Sequence, residues 1–265
     1  QVRPVLERMI KLQGAAPPPA DADAGYREHW VRSAIEGKLE DVKEVRATAL
    51  ERSVYDAFGC RTSVEKYATR PKELLDHLVD EVAMSLTEQR ERLLDLVDDL
   101  VGGMIEKYAP PNKHFEDWKI GELKKIYKEQ FNIEATAANK IADAELLAMR
   151  LYDDAEAVVL KKDKDIPPEV FFRVFRNFYL REIDRQWLEH LSSMEQLRDG
   201  IGLRGYGQRD PKKEYKKEGY DLFVQMTESI RAAVAANIFR LEVVREEDAR
   251  RIEEQIGRAS CRERV

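Results

Sequence analysis

The chain has 265 residues and a formal net charge of -6, with charged residues at 36% and aromatics at only 8%. Its length allows a sizeable core in one domain or two, and a composition so charged and so poor in aromatics suits amphipathic helices better than sandwiches or barrels. Excluded are a membrane-spanning segment, since no apolar run approaches the ~18 residues needed, a visible secretory leader, and wholesale nucleic-acid binding through a basic surface.

Val5, Leu6, Met9, Ile10 and Leu12 recur at helical spacing and stop at Gly14. The Pro- and Ala-rich stretch 14–25 that follows reads as a linker, so the first helix is expected to pack on a preceding domain. From Arg27 to Phe58, Trp30, Val31, Ile35, Leu39, Val42, Leu50 and Val54 trace one face, broken at Gly59 to Ser63. Pro71 then opens a second stripe through Leu74, Leu78, Val82, Leu93, Val97 and Ile105. Together the two pieces predict one long, charged helix kinked near Gly59.

Between Ala109 and Ile166 the spacing predicts two shorter helices, one carrying Trp118, Leu123, Ile126, Tyr127 and Phe131, the other running from Ile141 to Leu160. The run Lys161 to Asp165 leads from there to Pro167 and Pro168, a helix-entry signal. Phe171, Val174, Phe175, Phe178, Ile183, Trp187, Leu191, Met194, Leu197 and Ile201 then hold a stripe over roughly 45 Å of helix. A matching stripe, from Tyr215 and Leu222 through Met226, Ile230, Val234 and Ile238 to Val244, predicts an antiparallel two-helix hairpin with Trp187 in its seam. The predicted fold is all-α, with no period-two strand.

No catalytic signature stands out. Gly37-Lys38-Leu39 is the nearest approach to a phosphate-binding loop and lacks both the glycine-rich turn and the hydroxyl for magnesium. The four histidines, His29, His77, His114 and His190, have no second metal ligand at helical spacing, so no metal site is expected. Cys60 and Cys261 supply neither a disulfide framework nor paired-thiol ligands, and a reducing compartment is the default.

The informative stretch is Gly200 to Pro211, which holds four of the 13 glycines where one would cap a helix. Asp210 and Pro211 restart the chain as a helix, and Lys212 and Lys213 sit in its first turn, where the macrodipole disfavours cations. Arg198, Arg204, Arg209, Lys212, Lys213, Lys216 and Lys217 make this segment basic within an acidic chain. Tyr206, flanked by glycines, is presented to a partner; a solvated turn with the ring folded back fits the pattern equally well.

The run from Trp187 to Met226, WLEHLSSMEQLRDGIGLRGYGQRDPKKEYKKEGYDLFVQM, closely resembles the two-helix finger of the SecA family, the ATP-driven motors of bacterial protein export. KYAPPNKHFEDW, Lys107 to Trp118, looks like that family's helical wing, while VLERMIKLQG and EHWVRSAIE look like the end of the second motor domain and the start of the scaffold helix. The LLEYDDV-like run usual in the family is absent between Arg27 and Arg92.

The resemblance implies the end of the second motor domain and a linker at 1–25, scaffold at 26–87 and 167–250, wing at 88–166 and a truncated tail at 251–265. It implies that Tyr206, with Arg204 and Gln208 beside it, contacts the translocating polypeptide, and that Arg198, Arg209, Lys212, Lys213, Lys216 and Lys217 bind a partner. The implied partners are a SecY-type channel, the preprotein and the upstream motor domains. ATP and magnesium are implied in those domains and not here, and no nucleic acid is expected. The implied location is the cytoplasmic face of the plasma membrane. A stand-alone helical adaptor that binds an acidic protein or nucleic acid through the basic stretch is the competing reading.

Ile256 to Val265, IGRASCRERV, resembles a translated sequencing adapter and is set aside; its three arginines against Glu263 make the remainder more acidic still. The sequence reads as a piece of a longer chain at both ends.

Overall fold

The computed structural model describes residues 1–202 and 210–242, all helix, turn and loop with no strand among them. The organising element is α4, Pro71–Tyr108, a helix of 38 residues and so roughly 57 Å long at 1.5 Å per residue. Proline at its first position fixes φ for the helix and holds Arg70 out of it, at φ -128 and ψ 74. Leu74, Leu78, Val82, Leu93, Val97 and Val101 form its buried stripe.

The N-terminal elements differ from the sequence expectation in two respects. Helix α1, Val2–Gly14, packs on this part of the chain: Leu6 and Ile10 are fully buried against α4 and against α3, Ala47–Phe58. Arg46 closes its C-terminal end, its guanidinium donating to the Leu12 and Gln13 carbonyls at 3.0 and 3.1 Å. The continuous helix from Arg27 through the Gly59 kink is not formed either. Helix α2, Ala24–Glu36, stops at Gly37, whose backbone is extended. The segment from Lys38 to Arg46 buries Leu39 and Val45, and the Val45 amide donates to the Ala68 carbonyl at 3.0 Å. Helix α3 ends on Gly59 in the left-handed region at φ 69, a conformation that costs other residues strain.

Beyond α4, the Trp118 indole donates to the Pro110 and Lys113 carbonyls and folds the chain into α5, Ile120–Phe131, which ends on Asn132 at φ 56. Asp143 caps α6, Ala144–Asp165, by accepting from the Glu145 and Leu146 amides at 2.9 Å. Lys161 to Asp165 belongs to α6 and does not follow it, because Lys162 and Lys164 suit the negative end of the helix. The Tyr127 hydroxyl donates to the Leu151 carbonyl at 2.7 Å, tying α5 to α6.

Burial pushes the Tyr127 phenol well above its usual range, with Asp154 adding to the shift. The folded state therefore keeps this proton after the unfolded chain has lost it. The Tyr127 contribution to stability is whole below the unfolded value of about 10 and declines as pH rises above it. Tyr127→Phe is expected to cost roughly 1 kcal/mol at neutral pH and to flatten the alkaline decline, which urea melts at pH 7 and above pH 10 would read.

Helices α7, Pro168–Ile201, and α8, Pro211–Arg240, lie against each other. Met194 packs on Gly219, and the His190 and Phe223 rings are 6.0 Å apart. Apolar side-chain burial is concentrated at their roots, Phe171, Phe172 and Phe175 on α7, and Met226, Ile230, Val234, Ala235, Ile238 and Phe239 on α8, while farther out Glu182 and Gly219 are buried. Trp187 is 45% exposed and does not sit in a closed seam. Two helices alone shield only the faces they turn to each other, and among the described residues no third element buries Ile183, Trp187 or Phe223, which stay exposed.

Candidate functional site: the far end of the helix pair

Four polar contacts root α8 in the body. Gln130 donates to the Ala232 carbonyl at 2.5 Å, Arg240 to the Glu129 carbonyl at 2.9 Å, and Lys162 to the Leu241 carbonyl. Arg231 pairs with Asp99 at 2.9 Å. Phe131 stacks edge-on against Phe239, centroids 4.9 Å apart. On α4, the Arg90 guanidinium holds Asp163, whose side chain is 10% exposed, with Nε 2.8 Å from the carboxylate. Helix α8 is thereby fixed to α5, α6 and α4 at one end, while its first four turns meet α7.

Along α7, Glu182 is the one buried charged residue among those described. It accepts from Arg185 and from Gln186, the latter at 3.0 Å, and these bonds hold its carboxyl below the ordinary range. An acid satisfied in this way is a structural group; it has no partner with which to move a proton.

The far end starts as the sequence indicates. Asp210 caps α8 by accepting from the Lys212 amide at 3.0 Å, and Pro211 occupies the first turn. Lys212, Lys213, Lys216 and Lys217 are all exposed, two by two on successive turns, so they form one strip. Arg198 stands apart from them in character: it is ion-paired within α7 to Glu195 at 3.1 Å and Asp199 at 3.6 Å. Tyr206, Arg204, Gln208 and Arg209 lie outside the described residues.

Sequence reasoning missed Gln130, Lys162, Arg231 and Arg240, which position the helix pair. Each reaches a partner about 80 residues or more away, and no local spacing signals such a contact. Among the described residues no group of three His, Cys, Asp or Glu side chains could hold a metal ion, and no helix is long and apolar enough to cross a membrane.

A single rod on which every α-helix but α2 packs, with a helix pair projecting from one side, defines an all-α scaffold protein. Residues 67–242 match the family described as SecA Wing and Scaffold domain, and the chain belongs to that family. It is 42% identical over 230 residues to the protein translocase subunit SecA of Sorangium cellulosum, covering 86% of this chain and 22% of the relative. The subunit of Anaeromyxobacter sp. is 39% identical over 257 residues, covering 86% of this chain and 27% of the relative. That of Myxococcus xanthus is 34% identical over 254 residues, covering 87% and 27%. The chain thus spans about a quarter of the length of these relatives.

Proposed function

We propose that this chain is the mechanical, partner-binding part of a SecA-type translocase, which moves preproteins through a SecY-type channel at the cytoplasmic face of the membrane. Residues 26–87 and 167–250 act as scaffold, 88–166 as wing, and the end of α7 and α8 as a finger. Residues 1–25 join the scaffold to the second motor domain, and ATP and magnesium work in the motor domains. Tyr206, with Arg204 and Gln208, contacts the moving polypeptide. Arg198, Arg209 and the four lysines of α8 face an acidic surface of the channel.

The observation that carries this reading is the shared rod: α1, the α5–α6 pair and the root of α8 all rest on α4. A displacement applied at α1 is transmitted through packed helices to the far end of α8, because close-packed interiors yield little. A stand-alone adaptor gains nothing from such a connection, and family membership counts against it.

The test is to change Lys212, Lys213, Lys216 and Lys217 together to Glu in the full-length translocase. All four are exposed, and at 212 and 213, the two positions in the first turn, glutamate is favoured by the macrodipole by about 0.3–1 kcal/mol each, so folding should persist. Export of a precursor is expected to fall about tenfold or more through lost charge complementarity. Unchanged export would remove the patch from the account.

A further inference from the structure

A cavity of about 910 Å³ lies between α3, α4 and α7, away from the basic end of the helix pair. Its floor is apolar, with Leu96 and Phe175 buried there, and Tyr55, Met84 and Leu180 stand exposed at its rim. Its α4 wall is net acidic, with Arg92 among the carboxylates and Asp99 paired to Arg231 of α8, and the opposite wall is basic. On α4, Glu81, Glu88 and Asp95 recur every seven residues, so they form one line roughly 21 Å long. Facing them are Arg61, which follows α3, and Arg176 of α7, with Arg173 one turn away.

The acidic wall is partly engaged: His77 meets Glu81 at 3.5 Å and Arg92 meets Glu88 at 3.6 Å. On the arginine wall the Asp56 carboxylate is near enough to favour the Arg176 charge but is not paired with it. Arg176 donates to the Gln89 side chain at 3.3 Å and the Asp56 carbonyl at 3.2 Å, and Arg61 lies over the Tyr55 ring at 6.0 Å. None of the three arginines makes an ion pair among the described residues.

We infer that this groove is a docking site for an amphipathic helix of a partner protein, about four turns long, with acidic residues on one edge, basic residues on the other and an apolar stripe between. The length follows from the carboxylate line, the stripe from the floor, and the two edges from the walls, as in paired helices whose flanking charges choose the partner. A lipid surface or a nucleic acid is anionic throughout and would be repelled by the α4 wall. The inference does not depend on the translocase reading.

Three fluorescent helical peptides with the same leucine stripe test it by anisotropy against the 265-residue chain. One carries Glu on one edge and Lys on the other, one Glu on both, one Lys on both. Edges exchanged left for right would not serve, since a helix that reverses direction restores the match. The mixed peptide is expected to bind about tenfold more tightly than either control. In Arg61→Glu and in Arg176→Glu, each of which leaves two arginines on that wall, the lead of the mixed peptide over the all-Lys peptide should shrink several-fold. Arg61 is exposed and away from the core, so its variant remains informative if Arg176→Glu misfolds. Equal binding by the three peptides, no binding by any, or a lead of the mixed peptide that Arg61→Glu leaves undiminished would overturn the inference. Self-association of the chain that Arg61→Glu abolishes would overturn it in favour of a second copy.

Discussion

Phe131→Ala is expected to destabilise the chain by about 3–5 kcal/mol. The ring is 1% exposed and lies between Tyr127 at 5.0 Å and Phe239 at 4.9 Å, centroid to centroid. Removing it opens a cavity bounded by a side chain of its own helix on one side and by the root of α8 on the other. These walls are held in place by the Tyr127 hydroxyl bond to Leu151 and by the Gln130 and Arg240 bonds to neighbouring backbone. Collapse into the space is therefore restricted, which keeps the cost at the upper end. Trp187→Ala is the contrast: an indole already 45% exposed on the helix pair should cost less than half as much, near ~1.5 kcal/mol or below. Equilibrium urea unfolding of both variants measures the difference. Equal losses would mean that the helix pair is covered as fully as α5.

The two residues also mark where sequence reasoning succeeds and where it stops. Periodicity identified both stripes, because spacing reports which residues share a helix face. It does not report whether another element covers that face. For Phe131 one does; Trp187 stays half exposed among the described residues, since two helices shield only the faces they turn to each other. Pro71 and the Asp210-Pro211 pair placed helix starts to the residue, and the Pro167-Pro168 pair marked a third, since proline acts through its own ring and a cap through its own side chain. The segment from Lys38 to Arg46 was misread as helix because Leu39, Val42 and Val45 keep helical spacing while the backbone bonds to Ala68, beyond any local window. Helix α1 was assigned to another domain for a similar reason: its partners, α3 and α4, lie far downstream, beyond any local window. Of the candidate site, the cap and the exposed lysine strip were legible. The intrahelical pairing of Arg198 was legible too, in Glu195 at i-3, but was passed over.

The largest functional effect is expected at Tyr206, which is the most direct test of the proposal that this chain pushes a polypeptide. Exported chains share no side-chain pattern that hydrogen bonds could read, so the contact must tolerate any sequence, as a broad amphipathic ring does. Phe keeps that ring and Gly removes it. Neither substitution replaces a member of the buried stripes, which on α7 and α8 are Phe171, Phe172, Phe175 and apolar residues from Met226 onward. The measurement is precursor export by the full-length translocase carrying Tyr206→Gly or Tyr206→Phe, with urea stability and basal ATP turnover recorded on the same preparations. The expected result is export lost in the Gly variant alone, with stability and basal turnover kept in both. Equal export by the two variants would contradict the account.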